Sequence, residues 1–131
     1  KHVHLALVSG TITPDVPAIV RVQTHRGVYD MLAEARGVQK WSVDAALERI
    51  AVEGTGVLVL LAYDDDTRTL DQRLRGEFVV EEEGRELRML GAGSQILADL
   101  NVGKVKVLGT PLRTHAISGF GLEVIDYVPH P

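Results

Sequence analysis

The chain has 131 residues, 45% of them hydrophobic and 24% charged, with a net charge of −4; this profile fits one globular domain, long enough to bury about two-thirds of its unfolded surface. Its 14 basic residues are scattered, which argues against a nucleic-acid partner, and no apolar run reaches the ~18 residues a membrane span needs. There is no cysteine, which excludes disulfides and thiolate metal sites and fits a reducing, cytoplasmic setting.

A β-rich stretch over 4–9 ends at Gly10, and Pro14, Asp15 and Pro17 mark a connection. Residues 18–24 read as a second strand. The short span between the two favours antiparallel pairing of one with the other, because a parallel crossover needs a dozen or more residues. His2 and His4 would share one side of a strand and could chelate a metal, or simply lie on the surface. The pattern over 29–36 predicts a short helix with Met31, Leu32 and Ala35 on one side and Gly37 as its stop.

Ser42 suits the N-cap of a helix over 43–53, Asp44 complements its dipole, and Gly54 closes it. Val43, Ala46, Leu47, Ile50 and Ala51 fall on one face of that helix. Trp41, the only tryptophan, should pack a helix end or an interface. The apolar run over 57–62 has the character of a strand covered on both faces. Asp64, Asp65 and Asp66 then form a turn that is either solvated or a set of oxygen ligands for Mg²⁺.

Between 70 and 85 the signals conflict. Leu70, Leu74 and Phe78 suit a helix, 78–80 suits a strand, and Glu81, Glu82, Glu83 and Gly84 read as a solvated loop. Gly91-x-Gly93 predicts a tight turn, followed by a helix over 94–100 capped by Ser94. The turn admits two readings: exposed N–H groups that cradle an anion, or a plain loop-to-helix connection. A strand over 104–108, a loop over 109–121 and a last strand over 122–128 complete an α/β chain, with a single mixed sheet flanked by helices.

Gly91-Ala-Gly-Ser-Gln-Ile-Leu97, the strand at 104–108 and Gly119-Phe-Gly-Leu-Glu-Val124 resemble the G-x-G-[AS]-Q-I-L, L-G-V and G-[FY]-G-L-E-V motifs of GTP cyclohydrolase II. An ungapped register carries the resemblance upstream, from Arg21-Val22 through Ala45-Ala46-Leu47 and Ile50 to Glu53-Gly54-x-Gly56-Val57-Leu58-Val59. That family opens the guanine ring of GTP with zinc-activated water and holds the metal on three cysteines. In this register the cysteine positions read Arg26, Gly37 and Gln39, so the resemblance implies neither a bound zinc cofactor nor a catalytic residue here.

What the resemblance leaves is a vestigial nucleotide site. Asp30 and Arg36 match the family's Asp and Arg, while its R-Q-E-G-R phosphate loop reads Ala62-Tyr-Asp-Asp-Asp66. A carboxylate ~4–5 Å from a phosphate would oppose it by roughly 3–4 kcal/mol at an effective dielectric of about 20. The family's long tyrosine-bearing insert is compressed to 67–86 without a tyrosine, and its D-x-R pair becomes Glu86-Leu-Arg88. The T-N-N-P-x-K loop becomes Gly109-Thr110-Pro-Leu-Arg113. The nucleotide-binding residues so implied are Asp30, Arg36, Arg88, Gly91, Gly93, Ser94, Gln95, Thr110 and Arg113. His25 and His115 lie near the same loops, but two histidines without a third ligand make a poor zinc site.

The chain is similar to the degenerate C-terminal half of proteins in which this domain follows 3,4-dihydroxy-2-butanone-4-phosphate synthase. The start at Lys1 fits a 1–131 domain taken from such a fusion. The expectation is a riboflavin-biosynthesis domain with a structural, dimerising or regulatory role. Its expected partners are a second copy, the fused synthase, and GTP or a pathway metabolite. The alternative is an active or residual GTP hydrolase.

Overall fold

A computed structural model describes residues 3–25, 41–62, 75, 80–109 and 121–130. The helix expected over 29–36, the Asp64–66 turn and most of the loop over 109–121 lie outside the described residues. The elements are β1 (Leu5–Ser9), β2 (Ala18–His25), α1 (Val43–Glu53), β3 (Gly56–Ala62), α2 (Val80–Asp99), β4 (Lys104–Leu108) and β5 (Glu123–Val128). Among the described residues no helix is long and apolar enough to cross a membrane.

The strands form one five-stranded mixed sheet of order β1-β3-β2-β4-β5. β2 runs parallel to β3 and to β4, β4 parallel to β5, and β1 antiparallel to β3. The expected pairing of β1 with β2 is therefore wrong, because β3 lies between them. Val57, Leu58 and Val59 are fully buried, and a strand this apolar is most stable inside the sheet. Residues 10–17 need only step across one intervening strand, about 10 Å.

Helix α1 forms where the sequence places it. The Ser42 hydroxyl accepts from the Ala45 N–H at 3.1 Å. Gly54 turns left-handed at φ 86° and returns its N–H to the Ile50 carbonyl at 2.8 Å. The buried stripe is narrower than the sequence suggests: Ala46 and Ile50 are buried, whereas Leu47 and Ala51 are exposed. An i, i+4 pair suffices because α1 lies flat over the two strands β2 and β3.

Helix α2 is the larger departure. The loop expected at 81–84, the turn at 91–93 and the helix over 94–100 are parts of one continuous helix, Val80–Asp99. Glu, Arg, Leu and Met over 81–90 are strong helix formers. Each interior glycine costs about 1 kcal/mol against alanine, and burial of Gly93, Ser94 and Leu97 against the sheet offsets it.

Alternation along the strands divides the core in two. Val20, Val22, Val57, Val59 and Leu61 meet Leu97 of α2 on one face. Ile19, Leu58 and Leu108 meet Ala46, Ile50 and Trp41 on the other. Replacing Leu97 by Ala is expected to lower unfolding stability by ~2–5 kcal/mol, because it opens a cavity in a closed core. Leu47→Ala, on the outer side of α1, should change it by less than about 1 kcal/mol. Urea unfolding midpoints compare the two directly.

Candidate functional site

Because β2, β3 and β4 are parallel, His25, Ala62 and Leu108 finish at the same end of the sheet. From β2 the chain goes to β3 on one side and later to β4 on the other. Ligands of open α/β sheets gather at the carboxyl ends of strands near such a reversal. Of the segments implicated by sequence, 26–39, 62–66 and 109–113 follow the ends of β2, β3 and β4 in the chain. Asp30, Arg36, Thr110 and Arg113 themselves lie outside the described residues, as do His2, Arg26, Gly37, Gln39 and His115. His4 has a structural task here: its Nδ1 accepts the Ala62 N–H at 3.0 Å and closes the end of β3. Among the described residues no three His, Asp or Glu side chains gather where they could hold a metal ion.

The five remaining candidates, Arg88, Gly91, Gly93, Ser94 and Gln95, all lie on α2. Both readings of the Gly91–Gln95 turn are corrected, since these residues sit well inside the helix and their N–H groups belong to its ladder. Only the first four N–H groups of a helix are free for an anion, so no cradle forms at this place. Ser94 is wholly buried rather than an N-cap.

Gly93 has a packing role. A Cβ there would stand 2.6 Å from Val22 Cγ1 and 3.6 Å from Leu61 Cδ1, so the missing side chain lets α2 touch β2 and β3. At Gly91 a Cβ would meet nothing within 4 Å. Gln95 is exposed and donates from Nε2 to Asp99 Oδ1 at 3.0 Å, one turn on. Arg88 is exposed too. At seven residues apart, Arg88 and Gln95 share an outer stripe, while Gly93 and Ser94 face the sheet. The helix holds these two pairs apart.

A polar cluster at the carboxyl end was not singled out from sequence. Arg21 donates from one guanidinium nitrogen to the Leu108 carbonyl at 3.0 Å and from the other to the Trp41 carbonyl at 3.5 Å. Trp41 packs the start of α1, as expected of it, and is 4% exposed. Its indole N–H donates to the Val128 carbonyl at 2.9 Å, which also accepts the Gly109 N–H at 2.9 Å. The His130 ring stands edge-on to the indole, with centroids 5.5 Å apart and planes at 75°. The signal in the sequence was an arginine set among the apolar residues 18–22 of β2, which needs internal acceptors where it is part-buried.

A sequence model of the family described as GTP cyclohydrolase II matches residues 1–129. One relative is the 3,4-dihydroxy-2-butanone 4-phosphate synthase of Pseudomonas syringae pv. tomato, 37% identical over 135 residues, covering 98% of this chain and 37% of the relative. The protein of that name from Neisseria meningitidis serogroup A is 38% identical over 124 residues, covering 95% of this chain and 34% of the relative. Riboflavin biosynthesis protein RibBA of Cytophaga hutchinsonii is 31% identical over 141 residues, covering 97% and 35%. The chain thus spans just over a third of the length of these relatives.

The two glycines of α2 should respond in opposite directions. Gly91→Ala is expected to stabilise the domain by up to about 1 kcal/mol through helix propensity alone. Gly93→Ala should destabilise it by ~1–2 kcal/mol, because the methyl group overpacks against Val22. Chemical denaturation of both variants beside the parent checks the contrast.

Proposed function

Because the chain belongs to the GTP cyclohydrolase II family, we propose that it is a riboflavin-biosynthesis domain of that kind which has lost the family's zinc chemistry. Its role is structural or regulatory, toward a 3,4-dihydroxy-2-butanone 4-phosphate synthase domain of a longer protein. The observation that carries this reading is the absence of cysteine from the chain. Arg26 offers only donors, Gly37 no side chain, and Gln39 a neutral amide, so the donor set does not fit a zinc ion.

Two further observations support it. Residues 91–95 sit inside α2, so their N–H groups are committed to the helix and leave no anion cradle of the kind that binds phosphate at a helix start. The relatives at 37–38% identity are synthases of which this chain covers 34–37%, which suits a domain within a longer protein. Pairing with a second copy, and binding of GTP or a pathway metabolite by Asp30, Arg36, Arg88, Thr110 or Arg113, belong to the same proposal.

The expected outcome of incubating the chain with GTP and added zinc is no release of formate or pyrophosphate above the protein-free rate. Formate production that scales with protein concentration would establish the opposite, a working cyclohydrolase.

A further inference from the structure

We infer that the Arg21–Trp41–Val128 cluster is a metal-free tie that fixes the start of α1 to the carboxyl end of the sheet. β2 ends at His25, and Trp41 stands directly before Ser42, the cap of α1. Residues 26–40 connect the two, and fixing both ends of such a connection costs chain entropy. Trp41 is held on three sides: its carbonyl by Arg21, its indole N–H by Val128, and its ring by His130.

Both terminal nitrogens of Arg21 and the indole N–H of Trp41 find carbonyl acceptors. The Trp41 indole is a donor inside an apolar face, and Arg21 is part-buried beside it; an unmatched donor in such surroundings is expensive. The Leu108 and Val128 carbonyls lie at the ends of β4 and β5. Trp41 and Val128 are 87 residues apart in sequence, so the tie joins the start of α1 to the end of β5. Beyond this tie, α1 is held mainly by the Ala46 and Ile50 stripe. Among the described residues, these hydrogen bonds run from Arg21 and Trp41 to backbone carbonyls. Anchoring of α1 is therefore independent of any metal, and of whether the chain turns over GTP.

Trp41→Phe keeps an aromatic ring and removes the indole donor; Arg21→Lys keeps the charge and removes the fork that reaches two carbonyls. Thermal unfolding with and without EDTA, and hydrogen exchange over 41–46 and 123–130, are the measurements. The midpoint of the parent should be unchanged by EDTA. Trp41→Phe should lower it by about 3–6 °C, and in both variants exchange over 41–46 and 123–130 should rise more than in β3. Ile50→Val serves as a control: it should lower the midpoint without that selective pattern. A parent midpoint that falls with EDTA, or variants whose exchange rises no more in these two segments than in β3, overturns the tie. GTP turnover by a parent whose tie behaves as expected would instead bear on the proposed loss of catalysis alone.

Discussion

The structure depends on burying β2 and β3 on both faces. Their paired register sets Val20 beside Val57 and Val22 beside Val59 on one face of the sheet, while Ile19 and Leu58 point to the other, and neither set can face water. Among the described residues α1 covers one face and α2 the other, and each approaches over a glycine. Gly56, the first residue of β3, leaves room for Ile50 of α1, since a Cβ there would stand 2.9 Å from its Cγ2. Gly93 does the same for α2 above Val22. With both helices seated, β1 and β4 flank the central pair and β5 extends the sheet. The parallel strands then deliver their carboxyl ends to one side of the molecule.

Much of this was legible in the sequence where the signals were local. The helix over 43–53 carried its own cap in Ser42 and its own stop in Gly54, and it formed with those bounds. The run after Gly56 was apolar at every position, and it became a strand covered on both faces. Strand pairing was not legible, because connection length constrains two strands only if nothing lies between them. The strongest hydrophobic strand comes later in the chain and took that place. Gly91 and Gly93 misled for a related reason. Two glycines signal a turn when propensity decides, but here one of them is the contact that brings a helix onto the sheet. That contact involves Val22 and Leu61, far away in sequence.

The candidate site was legible only as a region. The family register directed attention to the carboxyl ends of β2, β3 and β4, where the structure does bring those strand ends together. It also assigned Gly91, Gly93, Ser94 and Gln95 to one phosphate-facing turn, yet they lie on opposite sides of a helix. The Arg21 cluster escaped notice because its acceptors are backbone carbonyls, which no side-chain motif reports. These groups thus do two different kinds of work. Residues of the apolar sheet make the family fold, and hydrogen bonds from Arg21 and Trp41 to backbone carbonyls join α1 to β4 and β5.

We propose that a fold held by apolar layers and by hydrogen bonds of this sort needs no ion. That separation of architecture from metal chemistry is the central claim, and zinc stoichiometry tests it most directly. Elemental analysis of the chain purified from zinc-supplemented growth, before and after dialysis against a chelator, should find only trace zinc and an unchanged far-ultraviolet circular dichroism spectrum. One zinc per chain, lost together with the folded spectrum on chelation, would contradict it.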